Sequence, residues 1–332
     1  MYIAQRLELL ARLADYMRSE EADWIFAKEL ASRENAWFTP EFIDRQVQEI
    51  YTRYLSIPAI NEWMEQNQVS GSVRTPRNTG IIMAGNIPMA GFHDFLACFV
   101  SGHRQTIKTS SKDAILIPHL VGKLTEWNPE VQQWVKFAPM LKGCDAYIAT
   151  GSNNSARYFD YYFSKYPHII RRNRTSAAIL QGDETAAELA ALADDVYLYF
   201  GLGCRNITKL YVPRDYNFED LLTAWRKYNY LFDHNKYKNN YDYQLAILII
   251  NSKYYMTNGS ILLLENTGYF TPVGVVHYEY YDNLQLAEDE LQRAESIQAI
   301  GGKGYLPFGT LQSPGLSDFA DGVNTLQFLR EL

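Results

Sequence analysis

The chain has 332 residues, of which 47% are hydrophobic, and its net charge is −7. Its length exceeds what one hydrophobic core usually supports, so we expect two domains. An acidic chain lacks the basic surface that engages nucleic-acid phosphates, so we expect no nucleic-acid partner.

The chain has three cysteines, Cys98, Cys144 and Cys204, and six histidines. The cysteines are odd in number and widely spaced, and no two histidines stand four residues apart, so neither a disulfide framework nor a metal site is predicted. No apolar run approaches the roughly 20 residues that cross a bilayer. We therefore expect a cytoplasmic protein with no membrane span.

The N-terminal segment has the periodicity of an amphipathic helix rather than of a secretion signal. Its apolar residues recur at helical spacing and share one face: Ile3, Leu7, Leu10, Ala14 and Met17. Helices are predicted to continue to about residue 73, and "VSGSVRTPRNTG" then forms a loop.

Short apolar runs that end in polar turns follow this loop, with helical stretches such as "DAILIPHLVGKLTEWN" between them. The runs are "GIIMAGN", "RQTIKTSS", "CDAYIATGS" and "SAAILQGDE". Strands that alternate with helices predict an α/β fold with a mainly parallel sheet and helices on both faces. Ligands on such sheets bind where strands end.

The first of these strands is predicted to end at Gly85, with Asn86 after it and Pro88 opening a helix. An amide side chain at that place can donate a hydrogen bond to a reacting oxygen. An asparagine that merely closes a turn is about as common, and both interpretations stay open.

The next two strand ends carry residues typical of a nucleotide site. Lys108 ends one strand and precedes Ser110 and Ser111, whereas Gly151 and Ser152 end another before a predicted helix. A lysine and the amides of a helix N-terminus can bind phosphate. The usual G-x-G-x-x-G pattern is not met, so a plain strand-to-helix turn is the alternative.

Cys204 stands in "FGLGCRNITKLYVP", unlike Cys98, which lies in the apolar run "FLACFV". Gly201 and Gly203 allow a tight bend and close approach of a ligand, and the positive charge of Arg205 favours a thiolate. The pattern indicates a reactive thiol at Cys204 and a structural one at Cys98.

The segment "YNYLFDHNKYKNNYDYQLAILIIN" is rich in tyrosine and asparagine and ends in an apolar run that is predicted to be a strand. The tyrosines are predicted to pack at a domain or subunit interface. The alternative is that they line a site for an organic substrate.

The order of these pieces resembles that of the aldehyde dehydrogenase superfamily. The shared features follow one another along the chain: Asn before Pro, Lys at a strand end, Thr-Gly-Ser, a glycine-flanked Cys and "GYFTPVG". Within it, the chain is similar to the acyl-CoA reductase branch, including the fatty-acyl reductase of bacterial luminescence. The strongest likeness is in "GNIPMAGFHDFLACFVSGHRQTIKTSSKD" and "GYLPFGTLQSPGLSDFADGVNTLQFL". It covers about residues 75 to 332, and the chain is much shorter than the superfamily norm.

The resemblance implies a Rossmann-type dinucleotide-binding domain with the N-terminal helices, over residues 1–175. It implies a catalytic domain over residues 176–307 and a segment, 308–332, that returns to the first domain or to an interface. The active site would lie in the crevice between the domains. A homo-oligomer, most simply a dimer, is expected.

The resemblance also assigns roles to single residues. Cys204 resembles the catalytic nucleophile, and Asn86 the amide that binds the oxyanion together with the Cys204 N–H. Lys108 resembles the lysine that contacts the adenosine ribose. Gly151 and Ser152 resemble the pair beside the pyrophosphate, and Phe270 the aromatic near the nicotinamide ribose.

One stretch and two single residues depart from the superfamily pattern. Arg171 to Arg174 stand where hydrolytic members place a glutamate that activates water, and Gly268 replaces a second glutamate. Ser111 stands where NAD-preferring members carry a glutamate that repels a 2′-phosphate. With Lys108, Lys112 and Arg104 close in sequence, this favours NADPH.

The predicted function is NADPH-dependent reduction of an acyl thioester to the aldehyde through an acyl-cysteine intermediate. The donor would be acyl-CoA, fatty acyl-CoA included, or a protein-bound acyl group delivered by an acyl-transferring partner enzyme. Alternatives are a cofactor-independent cysteine acyltransferase or hydrolase, a non-catalytic acyl-binding relative, and an acyl-phosphate reductase.

Overall fold

The computed structural model describes residues 1–70, 72–73 and 75–332, which fold into two compact units. The first unit comprises Met1–Asn173 and Pro314–Leu332, and the second comprises Arg174–Ser313. Each unit contains a mainly parallel sheet, so the predicted α/β class is confirmed. No helix in the described residues is long and apolar enough to cross a membrane.

Helices form the N-terminal part of the first unit. The first of them buries Leu10, Ala14 and Met17, as its periodicity predicts, while Ile3 and Leu7 pack partly buried against the same core. The helices are α1 (Ile3–Arg18), α2 (Ala22–Glu34), α3 (Pro40–Glu49), a π-helical turn (Ile50–Tyr54) and α4 (Ile57–Gln66).

The sheet of the first unit has five parallel strands in the order β3-β2-β1-β4-β5. Helices α5 and α6 follow β1 and β2 and pack against α1, and α7 contacts β4 and β5. The elements are β1 (Asn78–Ile82), α5 (Phe92–Ser101), β2 (Arg104–Lys108), α6 (Leu116–Trp127), β3 (Val135–Phe137), β4 (Ala146–Thr150), α7 (Asn153–Phe163) and β5 (His168–Arg171). A 3-10 turn (Pro129–Gln133) lies between α6 and β3.

Two predicted bounds in this sheet are wrong. The first strand ends at Ile82 rather than at Gly85, and the next helix begins at Phe92 rather than at Pro88. Met89 has a left-handed backbone, with φ of 53°, and its N–H donates to the Asp113 carboxylate. A helix cannot propagate through that conformation, so residues between the strand and Phe92 form a turn.

The second unit has six strands in the order β11-β6-β7-β10-β9-β8, parallel except for β8. The strands are β6 (Thr175–Ile179), β7 (Ile207–Pro213), β8 (Met256–Thr257), β9 (Leu262–Glu265), β10 (Val275–Tyr281) and β11 (Ile297–Gly301). The helices are α8 (Ala186–Tyr197), α9 (Phe218–Ala224), α10 (Asn235–Ile250) and α11 (Leu284–Arg293), and the C-terminal α12 (Thr325–Arg330) belongs to the first unit. 3-10 segments lie at Leu198–Gly201, Trp225–Asp233 and Ala320–Gly322.

The apolar run "AILII" is the end of helix α10, so the predicted strand is wrong. His234 caps this helix, and its ring accepts a hydrogen bond from the Tyr237 N–H at 3.3 Å. A short apolar run has no periodicity that separates a strand from a helix end. Of the tyrosines in this segment, Tyr237 and Tyr241 are buried within the second unit, whereas Tyr243 is exposed.

Candidate active site

In the first unit, the predicted cofactor residues lie at the carboxyl edge of the sheet. All of its strands are parallel, so their carboxyl ends meet at one edge. Lys108 is the last residue of β2, and Gly151 directly follows β4. The strand order reverses between β1 and β4, and ligands of such sheets bind outside the strand ends at a reversal point.

The structure brings the turn that carries Asn86 against the turn after β2. A Cβ atom placed on Gly85 would lie 2.6 Å from Ser110, so only glycine allows this approach. The Met83 N–H donates to the Lys108 carbonyl at 3.0 Å and joins the two strand ends. Asn86 and Ser111 are exposed beside this contact.

Asp113 fixes the far side of the Asn86 turn and was not anticipated from the sequence. Its buried carboxylate accepts a hydrogen bond of 2.6 Å from the Met89 N–H. Burial raises the pKa of the Asp113 carboxyl to about 7. An aspartate in a polar stretch looks like any solvent-facing turn residue, so only its burial distinguishes it.

The predicted helix after Gly151 and Ser152 is present. Ser152 caps α7, and its hydroxyl accepts from the Ser155 N–H at 3.3 Å. A Cβ atom on Gly151 would lie 2.9 Å from the Phe159 and Ser155 side chains, which explains the glycine by internal packing. Helix α7 begins three residues after the end of β4, and a helix N-terminus next to a strand end suits a pyrophosphate. These residues therefore fit a dinucleotide.

Arg104 does not lie beside Lys108, although the two are close in sequence. Arg104 begins β2 and Lys108 ends it, which separates their Cα atoms by about 13 Å along an extended strand. Lys112 lies in the turn beyond the strand, where its N–H donates to the Ser110 hydroxyl at 3.2 Å. Their spacing in the sequence led us to expect both cations near Lys108, and this expectation is wrong for Arg104.

In the second unit, Cys204 lies in a four-residue turn directly before β7. The Asn206 N–H donates to the Gly203 carbonyl at 3.1 Å and closes the turn. The hydroxyl of Ser176, on neighbouring strand β6, donates to the Cys204 carbonyl at 3.1 Å. Cys204 is exposed, whereas Cys98 and Cys144 are buried.

Three consecutive residues before this turn have left-handed backbones. Their φ angles are 55° at Tyr199, 56° at Phe200 and 73° at Gly201. Each non-glycine residue in this region costs about 1 to 3 kcal/mol, and such strain concentrates at functional sites. The buried Asn206 amide holds the conformation, because it donates to the carbonyls of Asp195 and Leu198 at 3.0 and 2.9 Å.

The segment that carries Phe270 packs against the same end of the second sheet. The Thr208 hydroxyl, on β7, donates to the Tyr269 carbonyl at 2.6 Å. A cavity of about 20 Å³ has Phe200, Gly201, Thr208 and Thr271–Val276 among its lining residues. The structure therefore brings the Cys204 turn and the Phe270 segment together, and Phe270 itself is 41% exposed.

Two buried titratable groups anchor the Phe270 segment, and the sequence did not indicate either. The His277 ring donates through Nδ1 to the Gly268 carbonyl at 2.7 Å, and burial lowers the pKa of this histidine. Lys209, its register partner on β7, donates to the Asn266 carbonyl and pairs with Glu279 at 2.6 Å. Burial also lowers the pKa of Lys209.

Arg171 and Arg172, in the stretch where the resemblance implies a departure from hydrolytic members, make different contacts. Arg171 ends β5 and is buried, where it forms an ion pair with Asp94 and donates to the Thr325 hydroxyl at 2.7 Å. Arg172 is exposed and pairs with Asp160 at 2.8 Å. Arg171 is therefore part of the packed interior of the first unit, whereas Arg172 lies on its surface.

The fold is that of aldehyde dehydrogenases. Aldehyde dehydrogenase 21 from Physcomitrella patens, solved with the reaction product succinate, is 12% identical with a TM-score of 0.63 over 87% of this chain and 71% of that one. The NAD⁺ complex of an aldehyde dehydrogenase from Bacillus cereus is 14% identical with a TM-score of 0.61, over 91% and 72% of the two chains. The aldehyde dehydrogenase KauB from Pseudomonas aeruginosa is 12% identical with a TM-score of 0.59, over 90% and 72%. The sequence matches no protein-family model and no curated protein.

Proposed function

We propose that the protein reduces an acyl thioester to an aldehyde with NADPH, through an acyl intermediate on Cys204. The observation that carries the proposal is the turn before β7, which presents an exposed cysteine from a strained backbone held by buried hydrogen bonds. The other two thiols are poor nucleophile candidates. Burial raises the pKa of Cys98 to about 12 and also raises that of Cys144.

In the proposed reaction, the Cys204 thiolate attacks the carbonyl carbon of the thioester. A carbon–sulfur bond forms to Cys204, and the carbon–sulfur bond to the donor breaks as the donor thiolate leaves. The Asn86 amide and the Cys204 N–H are the proposed donors to the oxyanion. No general base is required for the attack, since the thiolate itself is the nucleophile.

A reduced nicotinamide, when bound, supplies a hydride to the acyl carbon. Lys108, Ser110, Ser111, Gly151 and Ser152 are the proposed contacts of the cofactor's adenosine and phosphates, and Phe270 is the proposed contact near its nicotinamide end. The resulting thiohemiacetal on Cys204 collapses, the bond from carbon to Sγ breaks, and the aldehyde leaves with the Cys204 thiolate restored.

Reduction rather than hydrolysis is supported by the residues that replace the water-activating glutamate. A guanidinium cannot accept a proton from water, and Arg171 is buried against Asp94. The acyl-enzyme should therefore persist without reductant and discharge to aldehyde when NADPH is added.

Intact-protein mass spectrometry after incubation with a panel of acyl-CoA thioesters, with and without NADPH, tests the proposal. A stable acyl adduct that disappears on addition of NADPH, with aldehyde formed, is the expected result. Cys204→Ala should lose both the adduct and turnover, whereas Cys98→Ala and Cys144→Ala should keep them. Rapid release of free acid without nicotinamide would indicate a hydrolase, and absence of any adduct would indicate a non-catalytic acyl-binding protein.

A further inference from the structure

One face of the first sheet is left without a helix over two of its strands. In the described residues, α7 covers β4 and β5 on this face, and the connection from β3 to β4 contains no helix. The opposite face is covered by α5 and α6 with α1 and α2 packed on them. The β3–β4 connection packs on this face over β1, where Leu141 and Cys144 would lie 3.0 Å from a Cβ on Gly80, so the face is open at β3 and at the exposed ends of β2. Parallel sheets are normally covered on both faces, so this opening is unusual.

Side chains can be assigned to this open face from the strand register. Tyr147 stacks on Phe163 of α7 at 4.0 Å, and its register partner on β1 is Gly80, so both face α7. Gly80 pairs with Thr106 on β2, and Thr106 pairs with Lys136 on β3. Paired residues of adjacent strands share a face, so Lys136 lies on the open one.

Lys108 lies on the same face, because it follows Thr106 by two residues along β2. Adjacent strands lie about 4.8 Å apart and two residues advance about 6.6 Å, which places the Cα atoms of Lys108 and Lys136 about 8 Å from each other. Both side chains are exposed. Lys28 and Lys123 each form an ion pair with an aspartate. In the described part of the chain, neither Lys108 nor Lys136 takes part in an ion pair.

The two cations therefore form an uncompensated positive site at the carboxyl half of β2 and β3, in a protein of net charge −7. Arg104 is on the same face at the opposite end of the strand, beside Asn78, whose N–H donates to the Asp145 carboxylate at 2.7 Å. The carboxyl end near Lys108 is where the proposed cofactor residues lie, and Ser111 there adds no negative charge.

We propose that Lys136, together with Lys108, binds the 2′-phosphate on the adenosine ribose of NADPH, so that Lys136 determines the preference for NADPH over NADH. This inference rests on the proposed function, since it assigns a cofactor contact. A phosphate monoester carries between one and two negative charges near neutral pH, and two lysines about 8 Å apart can contact it from two sides. Lys136 is thus the second cation beside Lys108, a role that closeness in sequence had suggested for Arg104.

Titration calorimetry on the 332-residue protein tests the inference by binding alone. The variants are Lys136→Gln and, as the matched control, Arg104→Gln, which removes a cation from the same face at the other end of the strand. Lys136→Gln should raise the dissociation constant for NADPH about tenfold, as expected for the loss of one charge-assisted contact, and leave that for NADH within about twofold. The control should change neither, and circular dichroism should show both variants folded.

Two small nucleotides show whether the bound phosphate is the 2′-phosphate of NADPH or the 3′-phosphate of CoA. Adenosine 2′,5′-bisphosphate represents NADPH and adenosine 3′,5′-bisphosphate represents CoA. Lys136→Gln should weaken binding of the first compound selectively. Equal weakening of NADPH and NADH, no change in either, or a selective loss of the 3′,5′ compound overturns the inference and leaves the reductase proposal standing. Failure of the unmodified protein to bind either dinucleotide overturns both.

Discussion

Replacing Asn206 with alanine should destabilise the second unit by about 3 to 5 kcal/mol, because this buried amide holds the turn that carries Cys204. Its Oδ1 accepts from the Gly203 N–H at 2.8 Å, and its Nδ2 donates to the carbonyls of Asp195 and Leu198 at 3.0 and 2.9 Å. Alanine leaves these three backbone groups without the amide, at about 1 to 3 kcal/mol for each buried group. Relaxation of the turn keeps the total near the lower end of that sum.

The assay is urea unfolding followed by circular dichroism, with the rate of Cys204 alkylation as a second readout. Release of the left-handed segment should make the alkylation rate of the variant differ from that of the unmodified protein. Asn240→Ala is the matched control, since the half-buried Asn240 makes a single side-chain bond, to the Lys236 carbonyl at 2.7 Å. It should change stability by less than about 0.5 kcal/mol. An Asn206→Ala loss below about 1 kcal/mol would refute the view that this amide holds the turn.

Three further outcomes are expected. Gly201→Ala should lower the unfolding free energy by about 1 to 2 kcal/mol through backbone strain alone, because φ at this residue is 73°. The new Cβ meets no clash, since its nearest atom, the Val196 carbonyl oxygen, is 3.5 Å away. An unchanged unfolding free energy in urea would contradict this. Burial raises the pKa of Asp113 to about 7, so the stability that its protonated form contributes is complete below about pH 4 and is lost as pH rises through 7. The unfolding free energy of the unmodified protein minus that of Asp113→Asn should therefore fall by up to about 1.4 kcal/mol per pH unit from pH 4 to 7, and a constant difference in urea titrations would count against it. Ser111→Glu should narrow or reverse the preference for NADPH, measured as the ratio of the two dissociation constants, and an unchanged ratio would place Ser111 away from the ribose.

The sequence by itself determined the features that depend on local chemistry. The helical periodicity of the first residues predicted α1, and the serine after Gly151 predicted the start of α7. The two glycines before Cys204, Gly201 and Gly203, predicted a tight bend, which the structure shows as a left-handed segment and a closed turn. The apolar surroundings of Cys98 predicted its burial. Each of these rests on residues within a few positions of one another, where side-chain type limits the backbone directly.

Only the tertiary structure decided which distant residues meet. The end of α10 was expected to be a strand because a short apolar run carries no period of its own, and packing within the second unit selects the helix. No partner for Arg171 is evident from the sequence, and only the fold brings it to its ion pair with Asp94. Lys136 stands far from Lys108 in sequence, and the pairing of β2 with β3 places it on the same face, while Arg104, much nearer in sequence, lies at the other end of its strand. Register between strands is set by the summed burial of whole elements rather than by the residues at any one position, so such neighbours cannot be found from local sequence.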